Sequence, residues 1–178
     1  QSSSDQGNYK KYPSIIVGEL AAVLPEQLAA WAYPLASASA EEASFNMVSA
    51  MLCRIHLSGE LDKLKPAAMA QVVNGISVYK NKISKYLPQS TPFFPLGMPS
   101  FTDSISAIAV GMKHSEKRFV ALWRLAGKNQ ILLPVKNSAS SKIIYPTNLG
   151  VSIKKDTKGL IVTFSKKYMG AVIEIANN

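Results

Sequence analysis

The sequence predicts two fold classes in succession, α/β up to about Pro88 and all-β from about Ser100. Three observations carry this. Apolar residues recur at helical spacing between short apolar runs in the first half, four prolines crowd residues 88–99, and the apolar pattern then switches to period two. The chain has 178 residues, 47% of them hydrophobic and 17% charged, an ordinary composition for one or two folded domains.

The first helix is predicted over Pro13–Ala22, with a buried apolar strand over Ala21–Leu24 before Pro25. From Glu41, the residues Phe45, Val48, Met51, Leu52 and Ile55 fall at helical spacing. Glu41 and Glu42 in the first turn suit the positive end of the helix dipole. Cys53, Ile55 and Leu57 then alternate with Arg54, His56 and Ser58, a strand that Gly59 can end. Pro66 opens a further helix whose stripe of Met69, Val72, Val73, Ile76, Tyr79, Ile83 and Tyr86 runs to about Leu87.

Helix, strand, helix, strand, helix is the order of a parallel α/β unit, in which each helix packs back on the sheet. So few strands leave open edges, and the expectation is therefore an incomplete (β/α)8 TIM barrel whose other strands precede Gln1. The opening Gln1-Ser2-Ser3-Ser4-Asp5 resembles neither a signal peptide nor a translation start, in keeping with that expectation.

Pro88, Pro92, Pro95 and Pro99, with Phe93, Phe94 and Gly97, make residues 89–100 a packed connector that sustains neither helix nor central strand. Beyond it, Phe119, Ala121, Trp123 and Leu125 face one way and Arg118, Val120, Leu122 and Arg124 the other. Similar runs cover residues 105–112, 130–135, 142–145, 151–154, 160–164 and 171–175, separated by turn-forming groups such as Gly127-Lys128-Asn129. About seven strands at this spacing predict a C-terminal antiparallel β-sandwich over residues 101–178. Trp123, mid-strand among apolar residues, reads as core.

Residues 1–88 hold eight Lys/Arg against seven Asp/Glu, and residues 89–178 hold twelve against four, so the net charge of +9 resides almost wholly in the second half. The lysines are scattered over strand ends and turns, and no nucleic-acid partner is expected from them. No apolar run approaches the ~18 residues of a membrane span, and no membrane partner is expected either. The residues do not distinguish cytoplasm from secretion, and assembly into a homo-oligomer stays open. The one cysteine, Cys53, reads as a core thiol.

The usual constellations are missing. There is no phosphate-cradling glycine loop, no paired metal ligands, no G-x-S-x-G elbow, and the two histidines, His56 and His114, lie far apart. No cofactor or metal is expected. By spacing alone, Asp5 reads as a cap or a solvated turn. Glu26 and Trp31 are placed just after the first strand, where barrel enzymes build their sites, and both are candidate substrate-binding residues. Trp31 reads first as loop packing and second as a platform for a sugar ring.

A further signal is collinear. Gln1-Ser2-Ser3-Ser4-Asp5-Gln6, Tyr12-Pro13-Ser14-Ile15, Leu24-Pro25-Glu26-Gln27, Trp31-Ala32-Tyr33-Pro34-Leu35, Phe45-Asn46-Met47-Val48, Arg54-Ile55-His56-Leu57-Ser58-Gly59, Val78-Tyr79-Lys80 and Pro92-Phe93-Phe94-Pro95-Leu96-Gly97 follow one another in an order that resembles the C-terminal portion of glycoside hydrolase family 36, the α-galactosidases or melibiases. The resemblance runs to Gly97, with scattered matches such as Leu122-Trp123-Arg124 beyond. It implies a retaining hydrolase acting on terminal α-galactosidic linkages of an oligosaccharide substrate with two aspartates. Asp5 would match the acid/base. The nucleophile would lie in a missing N-terminal part of the same enzyme, leaving this fragment inactive alone. The alternative from the residues is a non-catalytic carbohydrate-binding or structural β-sandwich with a helical adaptor.

Overall fold

The fold is built around one helix that is buried on every side. In the computed structural model, which describes residues 2–3, 6–100, 105–135 and 140–177, helix α2 (Ala40–Ala50) has eight consecutive buried residues, Ala43 to Ala50. Such a helix must be covered all round. A small residue of helix α3 (Pro66–Val78) allows that on one side: a Cβ added to Gly75 would lie 3.0 Å from Cε of Met47, so α3 approaches α2 closely. Ser39 caps α2 by accepting from the Glu42 amide at 3.1 Å, and Pro66 opens α3 where its missing N–H costs nothing.

On one side of α2 lies a parallel pair, strand β1 (Ala29–Ala32) and strand β2 (Arg54–Leu57), in register Ala30 with Ile55 and Trp31 with His56. Ser2 adds a parallel bridge to Ala29, and the Ser3 amide donates to the Ala29 carbonyl at 2.8 Å. Three extended segments thus succeed one another, each followed by a helix: Ser2–Ser3 by α1 (Tyr12–Leu20), β1 by α2, and β2 by α3. α2 packs between α1 and α3.

The strand predicted over Ala21–Leu24 is not a strand. The amides of Ala21, Ala22 and Val23 donate back to Gly18 and Glu19 carbonyls, completing the last turn of α1. Pro25–Gln27 form a 3-10 turn, and the strand follows at Ala29–Ala32. Periodicity could not find it, because Ala-Ala-Trp-Ala has three residues of low strand propensity. The helix predicted to Leu87 is α-helical to Val78, widens to a π-helix over Tyr79–Ile83, and tightens to a 3-10 helix over Ser84–Gln89.

The other side of α2 rests on a five-stranded sheet, antiparallel throughout. It comprises β3 (Thr91–Phe93), β4 (Ala107–Lys113), β5 (Lys117–Arg124), β7 (Ser141–Tyr145) and β10 (Met169–Ala176), in the order β3-β4-β5-β10-β7. A second sheet, β6 (Gln130–Leu133), β9 (Gly159–Phe164) and β8 (Val151–Asp156), stacks on its far face. The five-stranded sheet is therefore covered on both faces. Ile108, Val110, Met112, Phe119, Ala121, Trp123 and Val172 join the helical core, while Ala109, Val120, Leu122, Ala171 and Ile173 meet Leu133, Leu160, Val162 and Phe164 of the second sheet. The alternation expected at residues 118–125 is the observed one. Its two apolar faces reflect two covering layers.

The Pro-rich connector, expected to hold neither helix nor central strand, contributes the short edge strand β3. Pro92 lacks an amide N–H, and β3 sits at the edge of the sheet, paired among the described residues to β4 alone, where a proline is tolerated. Phe93 lies opposite Gly111, where an added Cβ would come within 2.2 Å of its ring.

Candidate functional site

The two faces of the β1–β2 pair differ in kind. Ala30 and Ala32 point into the helical core with Ile55 and Leu57 packed against it, and alternation sends Ala29, Arg54, Trp31 and His56 to the opposite face, where Ala29 is buried and Trp31 still packs against that core. There the Trp31 and His56 rings meet edge to face, with centroids 5.3 Å apart and planes at 82°. Both are half-buried and Arg54 is exposed. This face is aromatic and polar, and no described element covers Arg54.

The segments beside it are pinned by side chains. The Trp31 amide donates to Ser3 Oγ at 3.1 Å, and Ser3 Oγ lies 3.4 Å from the Tyr12 hydroxyl. Past β1, the Tyr33 amide donates to Oδ1 of buried Asn46 at 3.2 Å, and Asn46 Nδ2 donates to the Glu42 carbonyl at 3.0 Å. Past β2, Gly59 has φ +89°, and an added Cβ would fall 2.3 Å from the Pro34 carbonyl oxygen. The Glu60 amide donates to that oxygen at 3.1 Å, and the Ala36 amide to Glu60 Oε2 at 3.1 Å. The Ala36 amide, and then Lys63, hold the Glu60 carboxyl below the usual carboxylate range. The loops at the C-terminal ends of β1 and β2 are thereby fixed to each other.

The turn between β9 and β10 reaches the same region. Lys166 pairs with Glu41 at the start of α2, and the Lys10 ammonium lies 4.1 Å from the centroid of the Tyr168 ring. Tyr9 packs edge to face on Phe45 at 5.2 Å. Burial, then Glu42 and Tyr168, raise the Tyr9 pKa.

Of the residues singled out in the sequence, Asp5 lies outside the described residues. Trp31 is the third residue of β1, not part of a following loop. Glu26 precedes β1 in the 3-10 turn, which packs against Ser84–Gln89, and its Oε2 is buried without a hydrogen-bond partner among the described residues. Glu26 and Trp31 thus do not both follow a strand as expected, because the strand lies eight residues downstream of its expected place, with Glu26 before it and Trp31 within it. Trp123 is fully buried, as expected. Sequence reading passed over Ser3, Asn46 and Glu60, whose roles are visible only as contacts. Among the described residues, no group of three His, Cys, Asp or Glu could hold a metal, and no helix is long and apolar enough to cross a membrane. A cleft of about 340 Å³ is lined by Gln6, Lys10, Lys11, Ser14, Ile105 and Leu125.

This combination of parallel strand–helix steps joined to two stacked antiparallel sheets resembles the C-terminal region of family-36 glycoside hydrolases. The particular structures it matches are α-galactosidases. AgaA from Geobacillus stearothermophilus, solved with raffinose, superposes with a TM-score of 0.70 at 13% identity, over 97% of this chain and 25% of that one. The α-galactosidase from Lactobacillus brevis gives 0.67 at 11% identity over the same shares, and the galactosidase domain of the α-galactosidase–sucrose kinase AgaSK gives 0.66 at 12%. The chain spans about a quarter of the length of these proteins. Comparison with protein-family models and with curated proteins gives no match.

Proposed function

We propose that the chain is the C-terminal segment of a retaining glycoside hydrolase that cleaves terminal α-galactosidic linkages in oligosaccharides. Residues 1–88 supply the final units of its (β/α)8 barrel, residues 101–178 its β-sandwich, and the Pro-rich residues between them the junction, β3 included. The observation that carries this is the run of three parallel extended segments, adjacent in chain order, each followed by a helix in one layer. A singly wound barrel is built that way. β2 pairs only with β1 among the described residues, so a strand edge stands free for a preceding part of the same enzyme.

In this reading Asp5 is the acid/base. It would protonate the departing glycosidic oxygen and then take the proton from the attacking water, facing a nucleophilic aspartate ~5–5.5 Å away on a strand outside this chain. Trp31, half-buried beside His56 on one face of the strand pair, offers a sugar ring its indole. Glu26, at the opposite end of β1, is given no sugar contact. No cofactor is required.

The test is hydrolysis by the complete gene product. Release of galactose from 4-nitrophenyl α-galactoside and raffinose supports the proposal, and inertness toward both, in a folded protein, overturns it.

A further inference from the structure

We propose that the cleft between residues 79–89 and the ends of β5, β10 and β7 binds a phosphorylated small molecule through Lys82, Lys85, Lys117 and Lys142. The cleft measures about 290 Å³. This is near the lower end for small-molecule pockets, on the order of 300 Å³. Four lysines line it against one carboxylate, Glu174.

Three elements are brought together to make this charge excess. The π-helical turn Tyr79–Ile83 carries Lys82, and the following 3-10 helix carries Lys85. A π turn inserted in a helix often accompanies a functional site. Below it, Lys117 of β5 and Lys142 of β7 flank Glu174 of β10, at 3.5 Å and 3.0 Å from its two oxygens. Glu174 thus already serves two cations. Lys85 and Lys117 share a single aromatic ring, lying 4.8 Å and 4.9 Å from the centroid of Tyr86. The hydroxyl of Tyr86 donates at 3.4 Å to Glu116, the other nearby carboxylate. Neither Lys82 nor Lys85 has a carboxylate within ion-pair distance among the described residues. Burial lowers the Lys117 pKa, but Glu174 and Tyr86 outweigh it and the net shift is upward, so this ammonium stays charged at neutral pH.

Ammonium groups crowded into one cleft repel one another, and a polyanion relieves that cost. Lysines act as point charges toward phosphate and need no planar geometry. The polar lining, with the Asn81 amide beside the lysines, suits phosphoryl oxygens and offers little to an apolar ligand.

The experiment is a calorimetric titration of the 178-residue chain at fixed ionic strength with inorganic pyrophosphate, glucose 1-phosphate and glucose. The expected result is saturable binding of at least one phosphorylated probe, with no binding of glucose. The Lys82→Gln/Lys85→Gln pair should weaken it at least about tenfold, and the distant control pair Lys154→Gln/Lys155→Gln should leave it unchanged. Thermal melting confirms that each variant folds. If the first pair does not fold, Lys142→Gln, at a site 64% exposed, takes its place. Absence of saturation, equal weakening by both pairs, or glucose binding as tight as glucose 1-phosphate overturns the proposal. None of these outcomes depends on hydrolase activity.

Discussion

Gly170 of β10 stands opposite Trp123 of β5, and a Cβ at residue 170 would lie 2.9 Å from Cδ1 of the indole and 3.2 Å from Cβ of Val48 on α2. The missing side chain therefore makes room both for the largest fully buried residue and for the helix above it. Gly170→Ala should destabilise the protein by roughly 1–3 kcal/mol, as overpacking of a filled core does. Denaturant unfolding followed by Trp fluorescence measures it, and an unchanged midpoint would show that the contact is not tight.

The same interface predicts the behaviour of the isolated sheets. Deleting residues 1–88 would strip α2 from the five-stranded sheet and expose Ile108, Val110, Met112, Phe119 and Trp123 on one face. An apolar patch of that extent marks an aggregation-prone surface. The truncated protein should be insoluble or bind a hydrophobic dye strongly. A soluble, cooperatively folding, sugar-binding product would favour a carbohydrate-binding module with a helical adaptor.

Cys53 is fully buried, and burial, with a smaller contribution from Glu19, pushes its thiol far above the ordinary range. The thiolate is the reactive species, so Cys53 should resist a disulfide reagent in the native protein and react stoichiometrically once unfolded. Fast labelling of the native state would contradict its placement.

Lys166 chiefly, with the Glu41 backbone amide, holds the Glu41 carboxyl below its ordinary pKa. A carboxyl depressed in the folded state contributes stability above its unfolded pKa, ~4.3, and loses it as pH falls through the folded value. Glu41→Gln should therefore cost a few tenths to ~1 kcal/mol at neutral pH and little in strong acid. Thermal melts at the two pH values check the sign, and an equal loss at both would remove the ion pair from the account.

How far the residues foretold this structure depended on which layer covered them. The alternation of Phe119, Ala121 and Trp123 with Val120 and Leu122 was legible because each face of β5 meets an apolar layer. β1 was not, since Ala-Ala-Trp-Ala owes its extended form to the ladder with β2 and to the Ser3 hydroxyl, contacts distant in sequence. β3 was hidden behind Pro92, which only an edge position accommodates. Nothing in the spacing of Asp5 marks it. Its proposed role comes from the collinear resemblance, and that of Trp31 from its indole, which stands half-buried beside His56.

The most direct test of the hydrolase reading is Asp5→Ala in the complete enzyme, assayed on raffinose and on a galactoside with an activated leaving group. Loss of the acid should depress raffinose hydrolysis by about 10²-fold or more while sparing formation of the glycosyl-enzyme from the activated substrate, since that leaving group needs no proton. Unchanged hydrolysis of raffinose would contradict the assignment.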